Sequence, residues 1–422
     1  MKVQGANRIY KQMSPFLLIC KFLGLAPYTV VTDSLTGIVQ FDTSVRKNFG
    51  GLLCTMIIST TMVLGISDMI AHYKVRGYTT ATDTLRKTFC YPMFFILPLV
   101  AIILNTTLNK NRFTKLLKLF SSIDTELETL KRSPDMKENK MRRLLSHFDI
   151  FLLVIILMGY MIYDAVIFGM RFFLMKSYAL RISELVNLAL IMQCCKFVKL
   201  VWQRLSEFSD VISQFIGTGN SDTGKKDDSI FQISKIRPES MKETPQDVTK
   251  VLISLRRMYR QVCDAVNLLN IIFGFIILLE IATNFAVIIT NVSTLVKYAK
   301  EKSNKNKFLP NFYRHFQRSP AHKPFLANCA WLVMSTALLT TMIVLCEITT
   351  WKSKKLGAAV FKMSFNHALN ADASQQVELF LNQIYNNPFE FTAFWLFSLN
   401  SNLLCTIFAS AVTFAIILSQ LN

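Results

Sequence analysis

Charge is scarce in this sequence. Only 18% of its 422 residues are Asp, Glu, Lys or Arg, against about a quarter in an ordinary soluble domain. The charges crowd into connections and leave long stretches with none. Histidine is scarcer still: 5 residues, scattered singly, so no HExxH-type site can be built. The 9 cysteines show neither a CxxC nor a metal-ligand spacing. Most lie in apolar runs, where a thiol behaves as a small hydrophobe, so they do not read as a disulfide framework. Neither a nucleophile with its base nor a cluster of metal ligands stands out, so the chain is not read as an enzyme and no cofactor is expected.

What is present is apolar bulk. Hydrophobic residues make up 52% of the chain, 34 of them Phe, and the mean hydropathy is +0.35. The formal net charge of +20 suggests nucleic acid at first sight, but the basic residues flank apolar spans instead of forming one basic domain. Juxtamembrane Lys and Arg attract anionic headgroups, so the partner implied is membrane lipid and not nucleic acid.

A membrane-spanning helix needs about 20 mostly apolar residues. Seven segments qualify: Asn48–Ser67, Phe89–Asn105 (with Pro92 and Pro98), Ile150–Met170, Ile182–Cys195, Ala265–Val296, Pro324–Cys346 and Phe391–Asn422. The fourth is the shortest and has Glu184 near its start; the fifth is interrupted only by Glu280. Ser14–Val31, which contains Lys21, reads as an interfacial or packing helix and not as a signal peptide. The fold class is therefore all-α, a polytopic membrane protein with seven transmembrane helices.

The connections carry helical stripes of their own. Phe113, Leu116, Leu117, Phe120, Leu127 and Leu130 form one. Phe197, Val201, Leu205, Phe208, Ile212 and Phe215 form a second, and Val377, Phe380, Leu381 and Ile384 a third. An apolar stripe with polar flanks wants a partner helix, so several spans are expected to continue into a helical bundle outside the bilayer. Residues 217–247 turn polar and read as a flexible linker. The balance of Lys and Arg does not decide orientation. Nor do the two glycosylation sequons at Asn105 and Asn291, which lie close to span ends.

In the last span Asn402, Thr406, Ser410, Thr413, Ile417 and Gln420 follow at steps of three or four and share one helical face. Polar side chains in a charge-free span face water or other helices. Several copies around an axis would enclose a path lined by Thr, Ser and Gln, with Ile417 as a constriction that gates by dewetting. Close packing of small and hydroxyl residues would give the same pattern, and periodicity alone leaves both readings open.

The segment Thr413–Leu421, TFAIILSQL, resembles the C-terminal signature of insect gustatory receptors: Thr-Tyr, five mostly hydrophobic residues, then Gln-Phe. Phe414 stands where that signature has Tyr, Leu421 where it has Phe, and Ser419 where it is usually apolar. Glu378-Leu-Phe, Phe391-Thr-Ala, the run from Asn400 to Ser410 and the opening Lys21–Tyr28 are also similar to that family. The resemblance implies a ligand-gated, non-selective cation channel in the cell membrane, a homo- or heterotetramer with a cytosolic N-terminus and an extracellular C-terminus. It implies a pore lined by Thr406, Ser410, Thr413 and Ile417 and an outer gate at Gln420 and Leu421. Residues 1–47 are then a cytosolic segment, 48–347 the first six spans with cytosolic extensions, 348–390 a cytosolic amphipathic segment of the anchor bundle, and 391–422 the pore-lining helix.

The resemblance places a tastant pocket in the outer half, between the second and sixth spans. Its candidates are Tyr160, Tyr163, Asp164, Arg181, Glu184, Asn187, Glu280, Asn284, Asn328 and Trp331, aromatic walls with polar groups that suit a sugar or a bitter alkaloid. An Asp164–Arg181 structural pair and an interfacial anchoring role for Trp331 are the competing readings. A seven-helix G-protein-coupled receptor would carry Asp-Arg-Tyr after the third span, which is missing here. Insect odorant receptors share the architecture; the Thr…Gln ending favours the taste branch.

Overall fold

The structure, a computed structural model, describes residues 13, 16–26, 29–32, 39–42, 49–76, 84–130, 175–217, 245–306, 322–365 and 370–421. The third expected span and the 217–247 linker, apart from its helical ends, lie outside the described residues. The long helices are α1 (Phe49–Arg76), α2 (Tyr91–Thr106), α3 (Lys110–Leu130), α4 (Met175–Gly217), α5 (Pro245–Asn306), α6 (His322–Ser364), α7 (Ala371–Asn386) and α8 (Ser401–Leu421). Two short antiparallel hairpins complete the order, β1–β2 (Thr29–Thr32 with Val39–Asp42) and β3–β4 (Thr392–Ala393 with Phe397–Ser398).

The architecture is all-α and membrane-spanning. Four stretches are long and apolar enough to cross a bilayer among the described residues: Thr88–Thr106, Ile182–Ser213, Val248–Val296 and Ser401–Leu418. The second expected span enters through a π-helical turn at Arg86–Cys90 and keeps Pro98 inside α2. The short fourth span is one part of a 43-residue helix. At 62 residues α5 is about 93 Å long, three times the roughly 30 Å hydrocarbon thickness. It therefore runs through the bilayer and well beyond it.

The three connecting stripes are buried over most of their length; Leu130 and Leu381 are partly buried, and the Phe215 side chain lies outside the described part. Phe113, Leu116, Leu117, Phe120 and Leu127 of α3 are fully or almost fully covered, as are Phe197, Val201, Leu205, Phe208 and Ile212 of α4. Val377, Phe380 and Ile384 of α7 pack inward too. Phe113, Phe197 and Phe273 meet at 5.9–6.1 Å between centroids, knitting α3, α4 and α5 together. Each such pair contributes about 0.5–1.5 kcal/mol beyond the area it buries. Asn109 donates to the Ile272 carbonyl at 3.2 Å, and Asn105 and Gln193 both donate to the Leu25 carbonyl, at 3.3 and 3.4 Å. Asn105 and Asn291 are 0% and 4% exposed, so neither sequon can accept a glycan in the folded chain.

Two expectations are corrected. Among the described residues the helix expected over Ser14–Val31 does not extend past residue 22, and Thr29–Thr32 is strand. The helix is terminated by Gly24, whose φ of 73° favours glycine, and Leu25 N–H closes the turn on the Cys20 carbonyl. The last helix, expected from Phe391, begins at Ser401. The aromatic run before it, Phe-Thr-Ala-Phe-Trp-Leu-Phe, has high strand propensity and folds as β3–β4. Asn400 then starts the helix, its Oδ1 accepting from Leu403 N–H at 3.0 Å.

Candidate functional site

Helix α8 has 21 residues and is about 32 Å long, enough to cross the hydrocarbon. Its covered face is Leu404, Ile407, Ala411 and Ala415, small or aliphatic at helical spacing. The alanines let α5 approach closely: Ser293 Oγ donates to the Ala415 carbonyl at 3.1 Å, and Phe285 meets Phe414 edge to face at 6.1 Å. The other side is bare. Thr406, Thr413 and Gln420 are exposed, Ser410 is half-buried, and Ile417 is 46% exposed. Only 22% of the apolar window of α8 is buried, against 61% in α4 and in α5. Thr406 and Thr413 donate to the carbonyls of Asn402 and Ala409 at 2.9 and 3.0 Å, which leaves their oxygen lone pairs turned outward. Leu421 closes the helix, and its side chain lies outside the described part.

The cap of this helix is fastened from below. Glu347 of α6 accepts from Ser401 N–H at 3.1 Å and from Ser401 Oγ at 2.9 Å. A carboxylate at a helix N-terminus also complements the helix dipole. The β3–β4 hairpin is clamped by Asn270 of α5, which donates to the Glu390 carbonyl at 2.8 Å and accepts from Thr392 N–H at 3.1 Å. Gly274, one turn on, admits the hairpin: a Cβ there would stand 2.9 Å from the Phe394 nitrogen. The sequence reading missed this collar. Its signals were a glycine in an apolar helix and a β-prone aromatic run between Pro388 and Asn400.

The ligand candidates fall into two groups. On α4, Asn187 donates to the Phe94 carbonyl of α2 at 3.5 Å and Ser183 donates to the same oxygen. Phe94 also packs on Ala286 and Val287 of α5, so α2, α4 and α5 converge there. Asn187 Oδ1 at this junction, and Asn291 Nδ2 one turn beyond Val287 on α5, are buried with no hydrogen-bond partner among the described residues. Asn291 was absent from the sequence candidates. Glu184, next to Ser183 in the chain, is partly buried. Separately, Asn284 donates to Glu280 Oε1 at 2.9 Å within α5. Asn328 and Trp331 lie in the opening turns of α6, with side chains outside the described part; Tyr160, Tyr163 and Asp164 lie outside the described residues altogether. Arg181 is on α4, its side chain likewise undescribed. Among the described residues no three His, Cys, Asp or Glu side chains gather as a metal site.

The family model described as "7tm Chemosensory receptor" matches residues 13–421. No curated protein is significantly similar in sequence. Among solved structures, the insect olfactory receptor OR5 from Machilis hrabei is similar with a TM-score of 0.63 at 8% identity, over 99% of this chain and 100% of that one. The same receptor in complex with eugenol is similar with a TM-score of 0.58 at 10% identity, over the same shares. At such identities the likeness speaks for the fold.

Proposed function

We propose that this chain, which belongs to the 7tm chemosensory receptor family, is the subunit of a tastant-gated, non-selective cation channel of the gustatory type. One observation carries the reading: the hydroxyl-and-amide face of α8 is bare on the protomer while its opposite face packs on α5. A polar stripe on a membrane helix is costly against lipid. Four copies around an axis would turn it inward and hydrate it. Thr406, Ser410 and Thr413 then line the path, Ile417 narrows it, and Gln420 with Leu421 forms the outer gate.

On this reading the N-terminus is cytosolic, the C-terminus is extracellular, and a sugar or a bitter compound enters between the second and sixth spans. Asn187, Glu184, Glu280 and Asn284 are its polar contacts, joined by Asn291; Tyr163, Asp164, Asn328 and Trp331 complete the candidate set. An odorant-type subunit would share the fold; the Thr413…Gln420 ending favours taste.

The test is expression in a cell line with current recording against a sugar and alkaloid panel. Gln420→Ala should change relative cation permeability or gating at unchanged surface expression, and Ile417→Ala should leave a standing leak. Wild-type currents from both variants would remove α8 from the pore.

A further inference from the structure

The β3–β4 hairpin carries a feature that neither the ligand nor the pore reading uses. Its turn has positive φ at two adjacent aromatic residues, Phe394 (51°) and Trp395 (57°), closed by Leu396 N–H on the Ala393 carbonyl at 3.0 Å. Positive-φ positions in hairpin turns are ordinarily filled by Gly, Asn or Asp, and a left-handed conformation costs a bulky residue about 1–2 kcal/mol. Here the turn presents four large apolar side chains: Phe394, Trp395, Leu396 and Phe397 are 44%, 60%, 63% and 47% exposed.

The surroundings fix the depth of this tip. Beyond exposed Ile253, the outward face of α5 bears exposed Arg257, Arg260, Asp264 and Asn267, then changes to exposed Phe275. The hairpin docks at that crossover, on Asn270 and Gly274, with Phe394 edge-on to Phe275 at 5.5 Å. Just beneath it lies a cleft of about 670 Å³ that takes in Arg256, Arg260, Asp264 and Asn386. On α6, Glu347 sits level with the start of α8. One turn further toward α7, Trp351 is 53% exposed with Lys355 Nζ 3.7 Å from its ring centroid. Exposed tryptophans beside cations, where charged surface gives way to apolar, mark the boundary between headgroups and acyl chains.

We infer that the Phe394–Phe397 tip is a lipid-binding surface, inserted at the headgroup–acyl boundary on the α7 side of the bilayer. The tip and Trp351 form an aromatic belt there, with Arg260 and Lys355 facing anionic headgroups. The polar-to-apolar crossover along α5 favours lipid over a second copy of the chain, since a protein partner would not require that gradient.

The test uses the full chain in phosphatidylcholine–phosphatidylserine nanodiscs. The fluorescence difference between wild type and Trp395→Phe isolates the Trp395 signal. That signal should lose most of its intensity to a lipid nitroxide near the glycerol and little to aqueous iodide. Quenching by iodide would place the tip in water. Quenching by neither agent would place it under protein, and quenching only by a nitroxide at the acyl terminus would place it in the bilayer core. Each of these overturns the inference. Should Trp395→Phe fail to assemble, wild-type protein is photolabelled with a lipid carrying a diazirine near its headgroup. Adducts within 391–400 are expected, and their absence overturns the inference equally. None of these readouts depends on ion flux, so the channel reading and this one fail separately.

Discussion

Arg204 of α4 and Asp124 of α3 form a two-pronged ion pair that water does not reach: Nε to Oδ1 is 2.9 Å, Nη2 to Oδ2 is 2.6 Å, and both side chains are 0% exposed. The guanidinium also lies over the Phe120 ring, 5.7 Å from its centroid. Breaking such a pair by removing one partner costs about 3–5 kcal/mol, whereas replacing both by apolar residues is often neutral. Asp124→Ala should therefore lower the Tm of the detergent-solubilised protein sharply and reduce surface expression. Asp124→Leu with Arg204→Met should recover most of the loss. An Asp124→Ala protein that melts with wild type would show the pair to be energetically idle.

Gly274→Ala tests the collar. In an accommodating helix this change stabilises by about 0.4–1 kcal/mol. Here the new methyl would meet the Phe394 backbone nitrogen at 2.9 Å, and backbone cannot yield as a flexible side chain does. The expected sign is reversed: a lower Tm, with evoked currents reduced beyond the loss of surface protein. Asn270→Ala, which removes both clamp hydrogen bonds at about 1 kcal/mol each, should mimic it.

Glu126 of α3 supplies a pH signature. Burial pushes its carboxyl above the ordinary 4.5, with Arg257 and Gln261 pulling the other way, and its Oε2 has no hydrogen-bond partner among the described residues. A group whose value is raised by folding contributes stability that is complete below its unfolded value and is lost as pH rises through the folded one. Glu126→Gln, which mimics the protonated form, should raise Tm at neutral pH. The gain should vanish once the pH falls below about 4.5. A Tm difference that does not vary with pH would rule this out.

Glu280 tests the ligand reading. If its carboxylate receives a protonated alkaloid, Glu280→Gln loses a charge-assisted hydrogen bond, worth about 1.5–3 kcal/mol. The half-maximal concentration for the alkaloid should then rise roughly 10- to 100-fold, with the response to a neutral sugar unchanged. Equal loss for both ligand classes, with falling surface expression, would assign Glu280 a structural role beside Asn284.

The helices and their buried stripes were legible because hydrophobic period and apolar length are local properties of the chain. Phe113 to Leu127 and Phe197 to Ile212 needed no partner to be recognised as inward-facing. The polar face of α8 was legible for the same reason. The collar was not, because it depends on residues about 120 positions apart: Asn270 reaching Glu390 and Thr392, and Gly274 making room for Phe394. A charge-free, mostly apolar run from Phe391 hides a hairpin from a hydropathy reading; the pairing of Thr392 with Ser398 and the positive φ at Phe394 and Trp395 set it apart from helix.

The length of α5 sets a mechanical ratio. Glu280 and Asn284 lie on the same continuous rod as Asn270 and Gly274, about two to four turns away, and the rod extends about 93 Å end to end. A tilt of about 2° would carry one end of a rod that long some 3 Å relative to the other, a displacement as large as a hydrogen bond is long. Small angular changes near Glu280 are thereby converted into linear ones at the far bundle, and they pass the point where the last helix is tied on.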